Sequence, residues 1–193
     1  MGSEMCIRDS PKNVKRVREY ISDEANVDRI ISEYEKNRKK TDQPFYMYNM
    51  TIQNHSPYDK DAANFKQPIK IESSKYDVEA NRYLNLIKYS DDSLKQLTGY
   101  FEKCKEPTII LFLGDHQPRL TDEFMNKITN GQYQTWNSEQ MMKRYQVPFV
   151  IWANYDIKEQ HIEKTSMNYI QSILTKTAGV KMTGYQRFLN EVR

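Results

Sequence analysis

Three histidines, His55, His116 and His161, are the side chains of this sequence best suited to metal or proton chemistry, and two of them sit in suggestive company. His55 lies in Thr51-Ile52-Gln53-Asn54-His55-Ser56-Pro57-Tyr58, at the end of an aromatic and apolar stretch that begins at Phe45 (FYMYNMTI). Asp115 and His116 lie in Gly114-Asp115-His116-Gln117-Pro118, directly after the apolar run Thr108 to Leu113 (TIILFL). A carboxylate next to an imidazole suits a divalent ion of borderline hardness such as Mn²⁺ or Zn²⁺, with Mg²⁺ also admissible. Gly114 allows a sharp turn out of the strand, and Pro118 stiffens the exit. The plainer roles stay open: Asp115 as a turn cap, His116 as a satisfied polar residue. A fully apolar strand just before the pair, and a second histidine past another strand end, weigh toward a site. His161, within IKEQHIEK, reads as a surface residue.

The elements that must position these groups alternate between helix and strand. Val27, Ile30, Ile31 and Tyr34 follow helical spacing, so residues 23–39 are predicted to be an amphipathic helix with Ser22 or Asp23 at its N-cap. Phe45 to Ile52 reads as a strand, and the polar stretch after it as a long functional loop. A helix is expected over Tyr76 to Lys103, and a buried central strand over Thr108 to Leu113. Thr121 should cap a short helix near Asp122 to Ile128, and Ser138 another near Glu139 to Tyr145. A third strand, Phe149 to Asn154, precedes a helix capped by Ser166 that runs to Thr177 and ends at Gly179. Strands separated by helices imply an α/β fold with a mostly parallel sheet sandwiched by helices. Ligands of such sheets collect beyond the carboxyl ends of the strands, where His55, Asp115 and His116 fall.

Composition narrows the function. The chain has 193 residues, enough for one domain with a substantial core. Its 29 Lys and Arg against 26 Asp and Glu are too balanced to suggest nucleic acid. No apolar run approaches the roughly 18–20 residues of a membrane span. Cys6 and Cys104 are too few for a disulfide framework and too far apart for a zinc site. There is no Gly-x-Ser-x-Gly elbow, Walker loop or dinucleotide glycine pattern.

The segments PFYMYNMTIQNHSPY, YSDDSL within the long helix, TIILFLGDHQPRL and VPFVIWANY, taken in order, resemble the lipoteichoic acid synthase and phosphoglycerol transferase group. These are sulfatase-type members of the alkaline phosphatase superfamily. The resemblance implies an incomplete alkaline phosphatase/sulfatase-like domain over residues 11–193, its C-terminal portion, with residues 1–10 read as an assembly scar. Asp115 and His116 match two ligands of a single Mn²⁺ or Mg²⁺, and His55 matches a histidine that contacts the substrate phosphate. The implied reaction moves glycerophosphate from a phosphatidylglycerol-like lipid to a glycerophosphate polymer acceptor through a covalent threonine, at the extracytoplasmic face of the cell membrane. No threonine here stands in the matching motif, Thr51 and Thr121 included. The nucleophile, the remaining metal ligands and the membrane spans are therefore expected upstream. By itself the chain should be a soluble fragment, inactive or nearly so. A sulfatase, phosphodiesterase or phosphomutase of the same superfamily is the alternative, and a non-catalytic α/β domain that binds an anionic polymer is a third reading.

Overall fold

A computed structural model describes residues 13–72, 77–129, 131 and 135–192, so Cys6 and the expectation of a scar over residues 1–10 lie outside the described residues. The described elements run β1 (Arg16–Val17), β2 (Tyr20–Ile21), α1 (Asp23–Arg38), α2 (Val78–Phe101), β3 (Ile109–Leu113), α3 (Asp122–Thr129), α4 (Ser138–Met142), β4 (Phe149–Ala153), α5 (Met167–Thr177) and α6 (Gly184–Glu191). A single 3₁₀ turn, Lys143–Tyr145, follows α4. The fold is α/β, and the chain divides into two compact units.

The first unit comprises residues 1–97 and 116–146. Ser22 starts α1 by accepting the backbone N–H of Ala25 on its hydroxyl, while Asp23 and Glu24 complement the positive end of the helix. The apolar centre of this unit is Val17, Tyr58, Phe65 and Leu86, with Tyr83, Tyr89 and Leu120 packed against it. Much of the remaining interior is polar and bonded in place. Asn85, fully buried, donates to the carbonyls of Ile69 and Asn81 and accepts the N–H of Ile69, which pins the irregular 66–72 segment to α2. Thr121 caps α3 through the N–H of Phe124 and donates its own hydroxyl proton to Asp77. At α4 the cap is Asn137 rather than Ser138, in a reciprocal capping box with Gln140.

The second unit comprises residues 98–115 and 147–193. Its sheet pairs β3 with β4 antiparallel, Ile109 opposite Ala153 and Leu113 opposite Phe149. The expectation of a mostly parallel sheet is not met among the described residues, where both sheets are two-stranded and antiparallel. The reason lies in the connection. The chain leaves β3 at Gly114 and re-enters β4 at Pro148, and the Gly114 N–H donates to the Pro148 carbonyl at 3.2 Å. Exit and return share one end of the strand pair, whereas a parallel neighbour needs a crossover back to the opposite end. The strand expected over Phe45 to Ile52 is also absent from the described sheets: no ladder partner meets it, and Tyr46, Tyr48 and Met50 are exposed. Two elements escaped the sequence reading, the β1–β2 hairpin and α6, the latter opened by a Thr183–Gln186 capping box.

Asn154, immediately after β4, ties this unit together. Its Nδ2 donates to the carbonyls of Phe101 (2.9 Å), Cys104 (3.0 Å) and Glu106 (2.9 Å), and its Oδ1 accepts the Thr108 N–H at 2.7 Å. One side chain thus converts the end of α2 and the turn after it into the lead-in to β3. The two Nδ2 protons are shared among the three carbonyls, so Asn154→Ala removes three bonds' worth at about 0.5–1.5 kcal/mol each, and a loss of about 1.5–4.5 kcal/mol in unfolding free energy is expected by urea titration. A loss below about 0.5 kcal/mol would show that water replaces the amide at no cost.

Candidate functional site

The three candidate residues are all exposed. Asp115 closes the chain segment that carries β3, and its position rests on Gly114. A Cβ at residue 114 would stand 3.3 Å from the Cβ of Val147, so the glycine allows the close backbone approach that turns the strand toward Asp115. His116 opens the next segment, which belongs to the first unit. Its Nδ1 lies 2.8 Å from the Gln117 carbonyl oxygen. A carbonyl only accepts, so this contact assigns a ring proton to Nδ1. The Gln117 amide in turn donates to the carbonyls of Lys143 (2.8 Å) and Gln146 (2.9 Å), which ties the bend to the 3₁₀ turn.

Carboxylate oxygen plus imidazole nitrogen is a donor set that fits Mn²⁺ or Mg²⁺, so the pair passes the chemical test for the expected ion. Two ligands do not complete a coordination shell. Among the described residues no group of three or more His, Cys, Asp or Glu converges on one point.

His55 is held far more elaborately, entirely by the first unit. The Arg18 guanidinium donates from Nη2 to the carbonyls of Gln53 (2.8 Å) and His55 (2.7 Å), and from Nη1 to that of Pro57 (2.6 Å). The Tyr58 hydroxyl donates to the Asn54 carbonyl (2.8 Å), and the Tyr20 hydroxyl to that of Ser56 (3.0 Å). Arg82 donates to the Tyr58 carbonyl at 2.8 Å. Every carbonyl from Gln53 to Tyr58 therefore accepts from a side chain. The imidazole packs edge-on against the Tyr20 ring, centroids 6.0 Å apart, and its Nδ1 lies 2.6 Å from the Ser56 carbonyl oxygen.

Behind the turn runs a closed polar ring. The Asp23 N–H donates to Gln53 Oε1 (3.0 Å), Gln53 Nε2 to Asn54 Oδ1 (3.3 Å), Asn54 Nδ2 to Ser90 Oγ (2.8 Å), and Ser90 Oγ to Asp23 Oδ2 (2.5 Å). Burial pushes the Asp23 carboxyl above its ordinary value, against the opposing pull of the Ser90 and Thr51 hydroxyls. Burial likewise raises the Tyr58 phenol to about 12, so it remains a donor throughout the physiological range.

None of Arg18, Gln53, Asp23, Asn64 or Ser90 is assigned to the site by the sequence, although Asp23 is an N-cap candidate there and Gln53 and Ser90 lie within the quoted segments, because the contacts that tie them to the turn span 30 to 67 residues of chain. The one local signal was the Asn54-His55-Ser56-Pro57-Tyr58 cluster, in which three residues prove to serve the turn itself. His161 is exposed, as expected of a surface residue.

The comparisons with known proteins give this α/β chain a family. The sulfatase family profile matches residues 3–180, and the chain belongs to that family. It is 29% identical over 183 residues to a putative cyclic β-1,2-glucan modification protein of Rhizobium meliloti, covering 90% of this chain and 27% of that protein. It is 30% identical over 83 residues to the phosphoethanolamine transferase EptA of Helicobacter pylori, 42% of this chain and 15% of that one. It is 33% identical over 92 residues to the lipoteichoic acid synthase-like YvgJ of Bacillus subtilis, 45% of this chain and 14% of that one. The Streptococcus pyogenes phosphoglycerol transferase GacH, solved with sn-glycerol-1-phosphate, has a similar fold, with a TM-score of 0.66 at 18% identity over 94% of this chain and 44% of that one. The chain thus spans about a quarter or less of the length of the curated relatives it matches.

The buried carboxyl gives a testable sign. A group whose folded-state pKa is raised above the unfolded value holds its proton longer in the folded chain, so stability falls as pH climbs from the ordinary 3.8 through the raised value and is constant above it. Asp23→Asn keeps an acceptor for Ser90 and abolishes the titration. Its stability relative to the parent chain should therefore rise across that window and then level off, measured by urea titration in steps from pH 3.5 to 7. A difference independent of pH would show that Asp23 is not held in its protonated-favouring environment.

Proposed function

We propose that this chain is the C-terminal part of a metal-dependent phosphoglycerol transferase that acts on membrane phospholipid for synthesis of a cell-envelope polymer. The observation that carries the reading is the Gly-Asp-His sequence at the end of β3 in a chain matched to the sulfatase family over residues 3–180. The fold shared with GacH, solved with sn-glycerol-1-phosphate, and the match to a lipoteichoic acid synthase-like protein support phosphoglycerol as the transferred group.

In this reading Asp115 Oδ and His116 Nε2 hold one Mn²⁺ or Mg²⁺, the remaining ligands coming from a preceding part of the same domain. The ion, when bound, polarises a phosphoryl oxygen and lowers the pKa of an attacking hydroxyl. His55, in its imidazolium form, donates from Nδ1 to the Ser56 carbonyl and from Nε2 to a phosphoryl oxygen, where charge develops during transfer. Because the carbonyls around it are fixed before substrate arrives, little reorganisation is required at the moment of transfer. The attacking threonine is supplied by the preceding part as well, and the chain alone has little or no activity. The likeness to a phosphoethanolamine transferase favours one second reading, in which the donor lipid carries ethanolamine instead of glycerol. Among the described residues no helix is long and apolar enough to cross a membrane.

Millimolar Mn²⁺ should raise the thermal midpoint of this chain by a degree or two, a response expected from weak two-ligand binding and absent in Asp115→Ala and His116→Ala. No metal-dependent shift in the parent chain, or an equal shift in both variants, would remove these residues from the metal site. Joining the chain to the preceding half of its domain and comparing phosphatidylglycerol with phosphatidylethanolamine as donor separates the two transferase readings, and a sulfate ester turned over faster than either would overturn both.

A further inference from the structure

We propose that Arg18 is the positioning residue of this site: from a strained hairpin it fixes the backbone of residues 53–57, and so fixes where the His55 imidazole stands. Arg18 occupies the first position of the two-residue turn between β1 and β2, at a φ of +56°. Glycine or asparagine is the usual occupant of such a position, and a long side chain there is strained. Strain kept at one residue calls for a role that the residue performs. The role is visible in its contacts. Three of the six carbonyls that define the turn, those of Gln53, His55 and Pro57, accept from this one guanidinium, and two others are held by Tyr20 and Tyr58, the rings that flank it. The guanidinium carbon lies 5.0 Å from the Tyr20 ring centroid and 5.6 Å from that of Tyr58. Asn64 locks the strained residue from behind, accepting the Arg18 N–H (3.1 Å) and donating to the Arg18 carbonyl (2.9 Å).

A lysine could keep the charge and the stacking but could not span three carbonyls with a planar fork, so charge alone does not explain the residue. The side chain is 8% exposed, out of reach of a ligand as large as a phosphate ester. It therefore acts through His55 rather than on the substrate. This inference rests on the proposed function only for the identity of the ligand that His55 meets.

The test uses the full chain labelled at histidine, whose three imidazoles are read separately by NMR. Two variants are compared with the parent: Arg18→Lys, which retains the charge, and Arg18→Gly, which relieves the backbone. Both are expected to move the His55 ring signal toward its value in an unstructured peptide and to erase its contact with the Tyr20 ring, while His116 and His161 signals stay in place. Titration with sn-glycerol 1-phosphate should then show affinity at His55 weakened on the order of tenfold or more in both variants. A His55 signal unchanged in both variants overturns the proposal. So does loss of all three native signals in both, since Arg18 would then be a folding determinant and not a positioning residue. If the His55 signal moves as expected but the parent chain shows no response to glycerol phosphate, the positioning role stands and the phosphoglycerol reading fails.

Discussion

A guanidinium buried without a carboxylate is the constraint on which the first unit depends. Taking such a charge out of water carries an effective penalty of several kcal/mol, and no described acidic residue forms an ion pair with Arg18. Charge-assisted hydrogen bonds, each worth roughly 1.5–3 kcal/mol, are the interactions strong enough to offset that penalty, and Arg18 makes three. Those bonds exist only if residues 53–57 take a single conformation. The same requirement fixes the neighbours. Tyr20 and Tyr58 must stack on the cation and aim their hydroxyls at the two carbonyls it does not reach, and Gln53, wholly buried, must face the start of α1. A loop with little regular structure is thereby as determined as a helix.

The helices were legible because their signals are local. Ser22 and Thr121 accept a backbone N–H of the helices they open, Ser166 stands at the N-cap of α5 without a side-chain capping bond, and the observed α1 and α5 lie within a residue or two of expectation. The apolar runs of β3 and β4 were equally plain, but an apolar run does not encode direction. The antiparallel direction shows in the bond from Gly114 to Pro148, between residues 34 apart with α3, α4 and the 3₁₀ turn Lys143–Tyr145 among the elements between them. The β1–β2 hairpin was invisible for a different reason. Its strands have two residues each, too few for any periodicity, and its turn places arginine where a turn signal would be glycine or asparagine. Phe45 to Ile52 shows the converse case: residue types that favour a strand, in a segment that has no ladder partner among the described residues.

The same distinction runs through the site. His55, Asp115 and His116 were readable because reactive side chains past the ends of apolar segments are unusual in themselves. Their supports were not, because Arg18, Asp23, Ser90 and Asn64 are ordinary residues whose significance is a matter of distance in space. Asp23 illustrates the point. From the sequence it is an acidic residue in a first helical turn, favourable to the helix dipole. In the fold it closes a ring of four side chains, and its burial makes ionisation harder rather than easier.

The two parts of the candidate site are supported to very different degrees, and that difference has a physical consequence. His55 stands on a turn whose six consecutive carbonyls are all bonded by side chains of its own unit, so its geometry is complete within this chain. Asp115 and His116 stand on an exposed bend, one supported through Gly114 and β3, the other through Gln117 and the 3₁₀ turn. The His55 turn is set by the tertiary folding of its own unit, through Arg18 donors that lie 35 to 39 residues before their acceptors in the chain, so a substitution far away in sequence can move the imidazole. The Asp115–His116 bend takes support from its neighbours along the chain, Gly114 on one side and Gln117 on the other.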